Sequence, residues 1–162
     1  MIIVECDKDK ALVHRIGFPG YQVRHAYHKS GVLEALEQEQ KAVGIIDEDP
    51  GAGQPEYLKE YTERDSVGKI RLLIRRDDDG KRVIRRAIQI SPRLEDWLCE
   101  VSKRNRIPPE KFGLPNDPGE LHSMSLRDRE NSSKFRRFLI AFNRAKDNEI
   151  NTIRKWIREA IE

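Results

Sequence analysis

A chain of 162 residues with 36% charged and 37% hydrophobic side chains has the size and balance of one folded domain, which excludes a disordered tail and a membrane-embedded protein. No apolar run approaches the roughly 20 residues of a membrane span, and the start, Met1-Ile2-Ile3-Val4-Glu5, lacks the basic and long apolar stretches of a secretion signal, so a cytoplasmic protein is expected. Of 31 Lys and Arg and 28 Asp and Glu, residues 1–66 hold 8 of the former and 13 of the latter, so a net negative first part joins a net positive remainder.

Ile2-Ile3-Val4 reads as a short buried parallel strand ending at Glu5. Ala11, Leu12 and Ile16 follow at helical spacing, closed by Gly17 and Pro19-Gly20. A second strand is expected over 22–27. Ser30 is the expected N-cap of a helix carrying Val32, Leu33 and Leu36 on one side. Ala42-Val43-Gly44-Ile45-Ile46 is a third strand, apolar on both faces and stopping at Asp47. This β-α-β-α-β succession predicts a parallel sheet with right-handed crossovers.

Pro50 to Ser66 reads as a loop or short helix over the strand ends. Two strand-like runs, 69–76 and 82–90, flank Asp77-Asp78-Asp79-Gly80, whose Asp-Gly favours a tight hairpin turn. Ser91 as cap and Pro92 at the first position then open a helix with Leu94, Trp97, Leu98 and Val101 as its apolar stripe. Residues 107–126, broken by prolines and glycines, form an irregular connection. Phe135, Phe138, Leu139 and Phe142, then Ile150, Ile153, Ile157 and Ile161, mark two amphipathic helices whose apolar residues are core. The expected organisation is an α/β core over 1–104, a connection over 105–128 and a helical extension over 129–162 packed on that core, one domain in all.

The acids sit where an open parallel sheet collects ligands, at the carboxyl ends of strands: Glu5 after the first, Asp47 and Asp49 after the third. Carboxylates on neighbouring strands about 5 Å apart repel one another, by about 4 kcal/mol for a pair 4 Å apart at an effective dielectric of 20. A divalent cation or a raised pKa relieves that repulsion, and hard oxygen donors favour Mg2+ or Mn2+.

Ile2-Ile3-Val4-Glu5, then helix, strand, helix and Gly44-Ile45-Ile46-Asp47-Glu48-Asp49-Pro50-Gly51, resembles the Toprim domain of topoisomerases, bacterial primases, nucleases of the OLD type and recombination mediators. The likeness spans roughly residues 1 to 50 and implies a Rossmann-like, mostly parallel sheet. It implies general acid/base duty for Glu5 and Mg2+ coordination by Asp47 and Asp49, with Glu5 as a further ligand. Asp7 and Asp9 are nearby carboxylates that serve either as ligands or as favourable acids at a helix N-terminus. Weaker likeness to small stand-alone Toprim proteins, at Ser91-Pro92-Arg93-Leu94-Glu95-Asp96-Trp97 and Leu114-Pro115-Asn116-Asp117-Pro118, makes Glu95 either a supporting residue at the metal site or an ordinary solvent-facing glutamate. Cys6 stands where the family usually has glycine.

The function implied is a Mg2+-dependent nuclease or phosphodiesterase acting on nucleic acid, alone or with a partner ATPase or other subunit. Arg75, Arg85, Arg137 and Lys134 are candidates for phosphate contact. The chain offers no further domain with a nucleophilic tyrosine for topoisomerase chemistry and little room for a primase. The alternative is a non-catalytic Toprim-derived module that binds nucleic acid or protein. A haloacid-dehalogenase-like phosphatase fits less well, because its Asp-x-Asp belongs on the first strand. His25 and His28 lack a third zinc ligand at suitable spacing. Asp77 to Gly80 is a turn and not a calcium loop, since the twelfth position is Ile88.

Overall fold

A computed structural model describes residues 1–162. Six strands, β1 (Ile2–Val4), β2 (Val23–His25), β3 (Val43–Asp47), β4 (Thr62–Val67), β5 (Ile70–Arg76) and β6 (Val83–Ile90), form one sheet in the order β2-β1-β3-β6-β5-β4. The pairs β1–β2, β1–β3 and β3–β6 are parallel, while β5 runs antiparallel to β6 and β4 to β5. The protein is therefore an α/β fold with a mixed sheet. In register, Val4 pairs with Ile45, so Glu5 and Asp47 leave the sheet at the same edge.

Six helices flank it: α1 (Asp7–Arg15), α2 (Lys29–Glu37), α3 (Leu94–Arg104), α4 (Pro118–Ser123), α5 (Arg129–Arg144) and α6 (Asn148–Ile161). Alternate strand residues feed two cores. Ile2, Val4, Val43, Ile45, Ile88 and Ile90 belong to the larger one with α1, α3, α5 and α6, whereas Ile3, Ile46 and Ala87 meet Val32, Leu33 and Leu36 of α2. Buried apolar side chains of this size contribute roughly 1.5–3 kcal/mol each. Phe135, Phe138 and Phe142 of α5 reach the larger core, where Trp97 of α3 meets Phe142 edge-on at 5.5 Å. The last two helices thus complete the main core. No helix is long and apolar enough to cross a membrane.

Four local expectations are corrected. Thr62–Val67, expected within a loop, is the edge strand β4; all but one of its side chains are exposed and it carries a register shift between Glu63 and Asp65, so backbone pairing with β5 chiefly holds it and leaves no apolar alternation to read. The N-cap of α2 is His28, whose Nδ1 accepts from the Gly31 amide at 2.9 Å, and Ser30 lies inside the helix. Helix α3 begins at Leu94, with Ser91-Pro92, a cis peptide, in the turn before it. Within 107–126 lie a 3-10 turn, Pro109–Phe112, and the short α4. The Asp77–Gly80 turn forms as expected, with Gly80 at φ +69° and the Asp77 carboxylate accepting from the Lys81 and Arg82 amides.

Candidate functional site

Parallel pairing of β1 with β3 sets Glu5 beside Asp47, and Glu5 Oε1 accepts from the Asp47 amide at 2.7 Å. Asp47 Oδ1 in turn accepts from the Leu94 amide at 2.8 Å, at the first position of α3. The N-cap residue Arg93 makes no side-chain cap, so a carboxylate from β3 serves the first turn of α3 instead. Asp9 of α1 accepts from the Cys6 amide at 3.0 Å. Cys6 itself has φ −142° and ψ 172°, extended backbone that requires no glycine. Its thiol is driven far up by burial and then by the Asp9 charge, which makes it a poor nucleophile at neutral pH.

Glu95 does not face solvent. It is 2% exposed and paired with Lys8 Nζ at 3.2 Å and His122 Nδ1 at 3.2 Å, and its Oε2 has no hydrogen-bond partner. Lys8, itself buried, also donates to the His122 carbonyl at 2.7 Å. Lys29 stands on the other side of the cluster. It donates to the Glu48 carbonyl and to Gln54 Oε1, and lies 3.9 Å from Asp49 Oδ2. Asp49 is held in the left-handed region, φ +44°, while its amide donates to the Pro92 carbonyl at 2.9 Å. Backbone strain of this kind persists where surrounding contacts fix it.

The electrostatics record the crowding. Burial raises the Glu5 pKa, and the Asp47 amide and Lys29 only partly oppose it. Burial raises Asp9, with Glu5 and Glu95 adding to the rise, and it raises Asp47 further, with Asp9, Glu5, Glu95 and Asp49 all contributing. Five carboxyl groups therefore share one end of the sheet, against the two buried ammonium groups of Lys8 and Lys29. Neither lysine, nor His122, carries a local sequence signal, because each meets its partner only across distant parts of the chain.

The remaining sequence candidates lie apart from this cluster or are otherwise engaged. Asp7 is exposed, 3.5 Å from His25 Nδ1, while His25 Nε2 bonds the Glu5 carbonyl at 2.8 Å and so braces the first strand's end. Arg75 reaches Glu37 at 2.6 Å and Glu60 at 2.8 Å, and Arg85 lies 3.8 Å from the same Glu37 while donating to its carbonyl. Both arginines thus neutralise carboxylates of the fold. Lys134 pairs with Glu130 at 2.6 Å, and Arg137 is exposed with no carboxylate within 4.0 Å.

The cluster's donors are carboxylate oxygens, the chemistry suited to Mg2+ or Mn2+, and their mutual repulsion is what a divalent cation would relieve. In the present side-chain arrangement no three His, Cys, Asp or Glu residues are poised to hold a metal ion. Glu5 and Asp47 each give an oxygen to a backbone amide, and Glu95 is turned toward Lys8. Comparison with protein families, curated proteins and solved structures finds no match to this chain.

Proposed function

We propose that this protein is a Toprim-like, Mg2+-dependent phosphodiester hydrolase acting on nucleic acid, with Glu5, Asp47 and Asp49 as its centre. The observation that carries this reading is the set of five carboxyl groups at the carboxyl ends of the parallel strands β1 and β3, with Asp9, Glu5 and Asp47 held above their ordinary pKa by burial and by one another. The amides that these carboxylates serve do not require so many buried acids together, and such perturbed groups concentrate at functional sites.

Asp47 and Asp49 would hold the ion, with Glu5 as its neighbour and Asp9 and Glu95 behind. When bound, Mg2+ supplies charge neutralisation to a phosphodiester oxygen and balances the acidic cluster. Glu5 bonds the Asp47 amide through Oε1 alone, which leaves Oε2 to take the proton of an attacking water. Burial raises its pKa, which makes it a better proton acceptor than an exposed carboxylate. Lys29, as buried as Lys8, lies 3.9 Å from Asp49 Oδ2 and holds the turn after β3 through the Glu48 carbonyl and Gln54. Lys8 holds Glu95 in place and is too buried to reach substrate.

The alternative, a non-catalytic binding module derived from such a fold, draws on the use of Asp47 to seat α3 and of Asp9 to bond the Cys6 amide. Calorimetric titration of Mg2+ and Mn2+ into the wild type and Asp47→Ala/Asp49→Ala, with plasmid and single-strand cleavage on the same samples, separates the two. Binding and cleavage lost together in the variant are expected of the hydrolase. Absence of divalent binding by the wild type refutes it and favours the module.

A further inference from the structure

A trough opens between α1 and the start of α5. Its widest part is a cavity of about 300 Å3 lined by Lys10, His14 and Arg15 of α1 and by Ser132 and Arg136 of α5. A second hollow of about 270 Å3 shares Ser132 and Arg136 with it and adds Arg127, Arg129 and Ser133. A third, of about 170 Å3, is lined by Cys6, Asp7, Lys8 and Arg127. Leu126 lines all three, so they are stretches of one trough that runs from the residues just after Glu5 to the first turns of α5.

Two properties identify what it takes. Lys10, Arg15, Arg127, Arg129 and Arg136 have no carboxylate within 4.0 Å, unlike Arg71, Arg75, Arg82, Arg85, Arg93 and Arg104; Arg64, Arg76, Arg86, Arg106 and Arg137 are also unpaired, but the trough gathers five such cations along one continuous depression. The trough's cations are thus left for an outside anion, and arginine forks with serine hydroxyls beside them match phosphate oxygens. Its apolar surface is supplied by the half-buried Ala11 and Leu126, with Phe135 and Leu139 closed beneath them, a small patch that suits the face of an unpaired base and offers nothing to a duplex whose bases are stacked inside. The one carboxylate on its wall, Asp7, lines both the widest part and the hollow nearest the acidic cluster, where the cations outnumber it.

We infer that this trough is the track for one single strand of nucleic acid, which it delivers to the acidic end of β1 and β3. The inference rests on the hydrolase reading for the direction of delivery, but binding in the trough needs no metal. The cations hold phosphates on the α5 side, and the strand continues past Arg127 and Lys8 toward Glu5. Arg75 and Arg85 of the hairpin take no part, being committed to Glu37 and Glu60.

Fluorescence anisotropy in EDTA, with a labelled single strand of about twelve nucleotides, tests it. Arg127→Ala/Arg136→Ala is expected to weaken binding at least tenfold and to lower the slope of log K against log salt by about 1.4, roughly 0.7 per cation removed from a single-strand contact. Arg106→Ala/Lys111→Ala removes the same charge from a different surface hollow and is expected to change binding less than threefold. All four side chains are exposed, so both variants are expected to fold, and melting curves check this. Equal losses in the two variants would reduce the effect to bulk charge and overturn the trough. So would wild-type binding that is absent, or as tight for a duplex of equal length, or displaced as well by polyglutamate. Because no metal is present, a failed cleavage assay refutes the hydrolase and leaves this result standing, while a failed anisotropy assay refutes the trough alone.

Discussion

The Asp47 carboxylate meets the Leu94 amide at 2.8 Å across 47 residues of sequence, so the acid at the end of β3 also seats the first turn of α3. One side chain thereby serves the fold and the proposed site, and its two duties can be separated by substitution.

Asp47→Asn keeps an oxygen for the Leu94 amide and removes the charge. Burial, then Asp9, Glu5, Glu95 and Asp49, raise the Asp47 pKa, so the folded protein binds a proton that the unfolded chain releases. Stability from this group therefore falls as pH rises from about 4 through the raised folded-state value. The variant is expected to be more stable than wild type by roughly 1–2 kcal/mol at pH 8, a few degrees in Tm, with the gap closing as pH falls toward about 4. Asp47→Ala, which strands the amide, is expected to lie about 1 kcal/mol below Asp47→Asn. Thermal melts across this pH range check both, and an Asn variant no more stable than wild type at pH 8 would contradict the electrostatic stress.

Added Mg2+ is expected to stabilise the wild type by about 1.4 kcal/mol at ten times its Kd and to leave Asp47→Ala/Asp49→Ala unmoved. Differential scanning calorimetry with and without the ion reads this without any substrate. A shift of equal size in both proteins would place the ion elsewhere.

Arg75→Ala is expected to cost roughly 3 kcal/mol, because it leaves Glu37 with a buried Oε1 that already lacks a hydrogen bond. Oligonucleotide binding by the folded variant is expected to stay within twofold of wild type. Urea denaturation and anisotropy on one preparation test the pair of outcomes.

Asp147 caps α6 through the Glu149 and Ile150 amides and receives Arg104 through two nitrogens at 2.8 Å. Burial would raise its pKa, but the Arg104 and Asn105 hydrogen bonds outweigh burial and bring it down to about 2. Its contribution is therefore fully present above the unfolded value near 4 and lost as pH falls through about 2. Asp147→Asn is expected to be about 2 kcal/mol less stable than wild type at pH 7, with the difference vanishing in that acid window. Chemical denaturation at pH 7 and pH 3 measures it.

Ile2-Ile3-Val4 and Val43 to Ile46 were legible because strands buried on both faces must be apolar throughout, and the acids that end them mark the sheet's edge. β4 was not, since an edge strand of exposed polar side chains is defined by its partner's backbone. The start of α3 misled for a related reason: Ser91-Pro92 has the local look of a cap, while the group that completes the first turn comes from β3. At the site, Glu5 and Asp47 could be read from position, but the Lys8–Glu95 pair and the bracing by His25 exist only once distant segments meet. Arg75 and Arg85 looked like phosphate contacts because sequence shows a cation and conceals the Glu37 beside it.

The acidic cluster draws on residues 5 and 47, which end β1 and β3, and on residue 95 in the later helix α3. At ribosomal speeds of about 5–20 residues per second, roughly 5 to 20 s separate the emergence of Glu5 from that of Glu95. During that interval β1 and β3 can pair, but Lys8 has no glutamate and Asp47 has no helix to seat. A nascent or prematurely terminated chain that stops short of α3 thus carries an unfinished acidic cluster, and under the proposed hydrolase reading only completed molecules would act on nucleic acid.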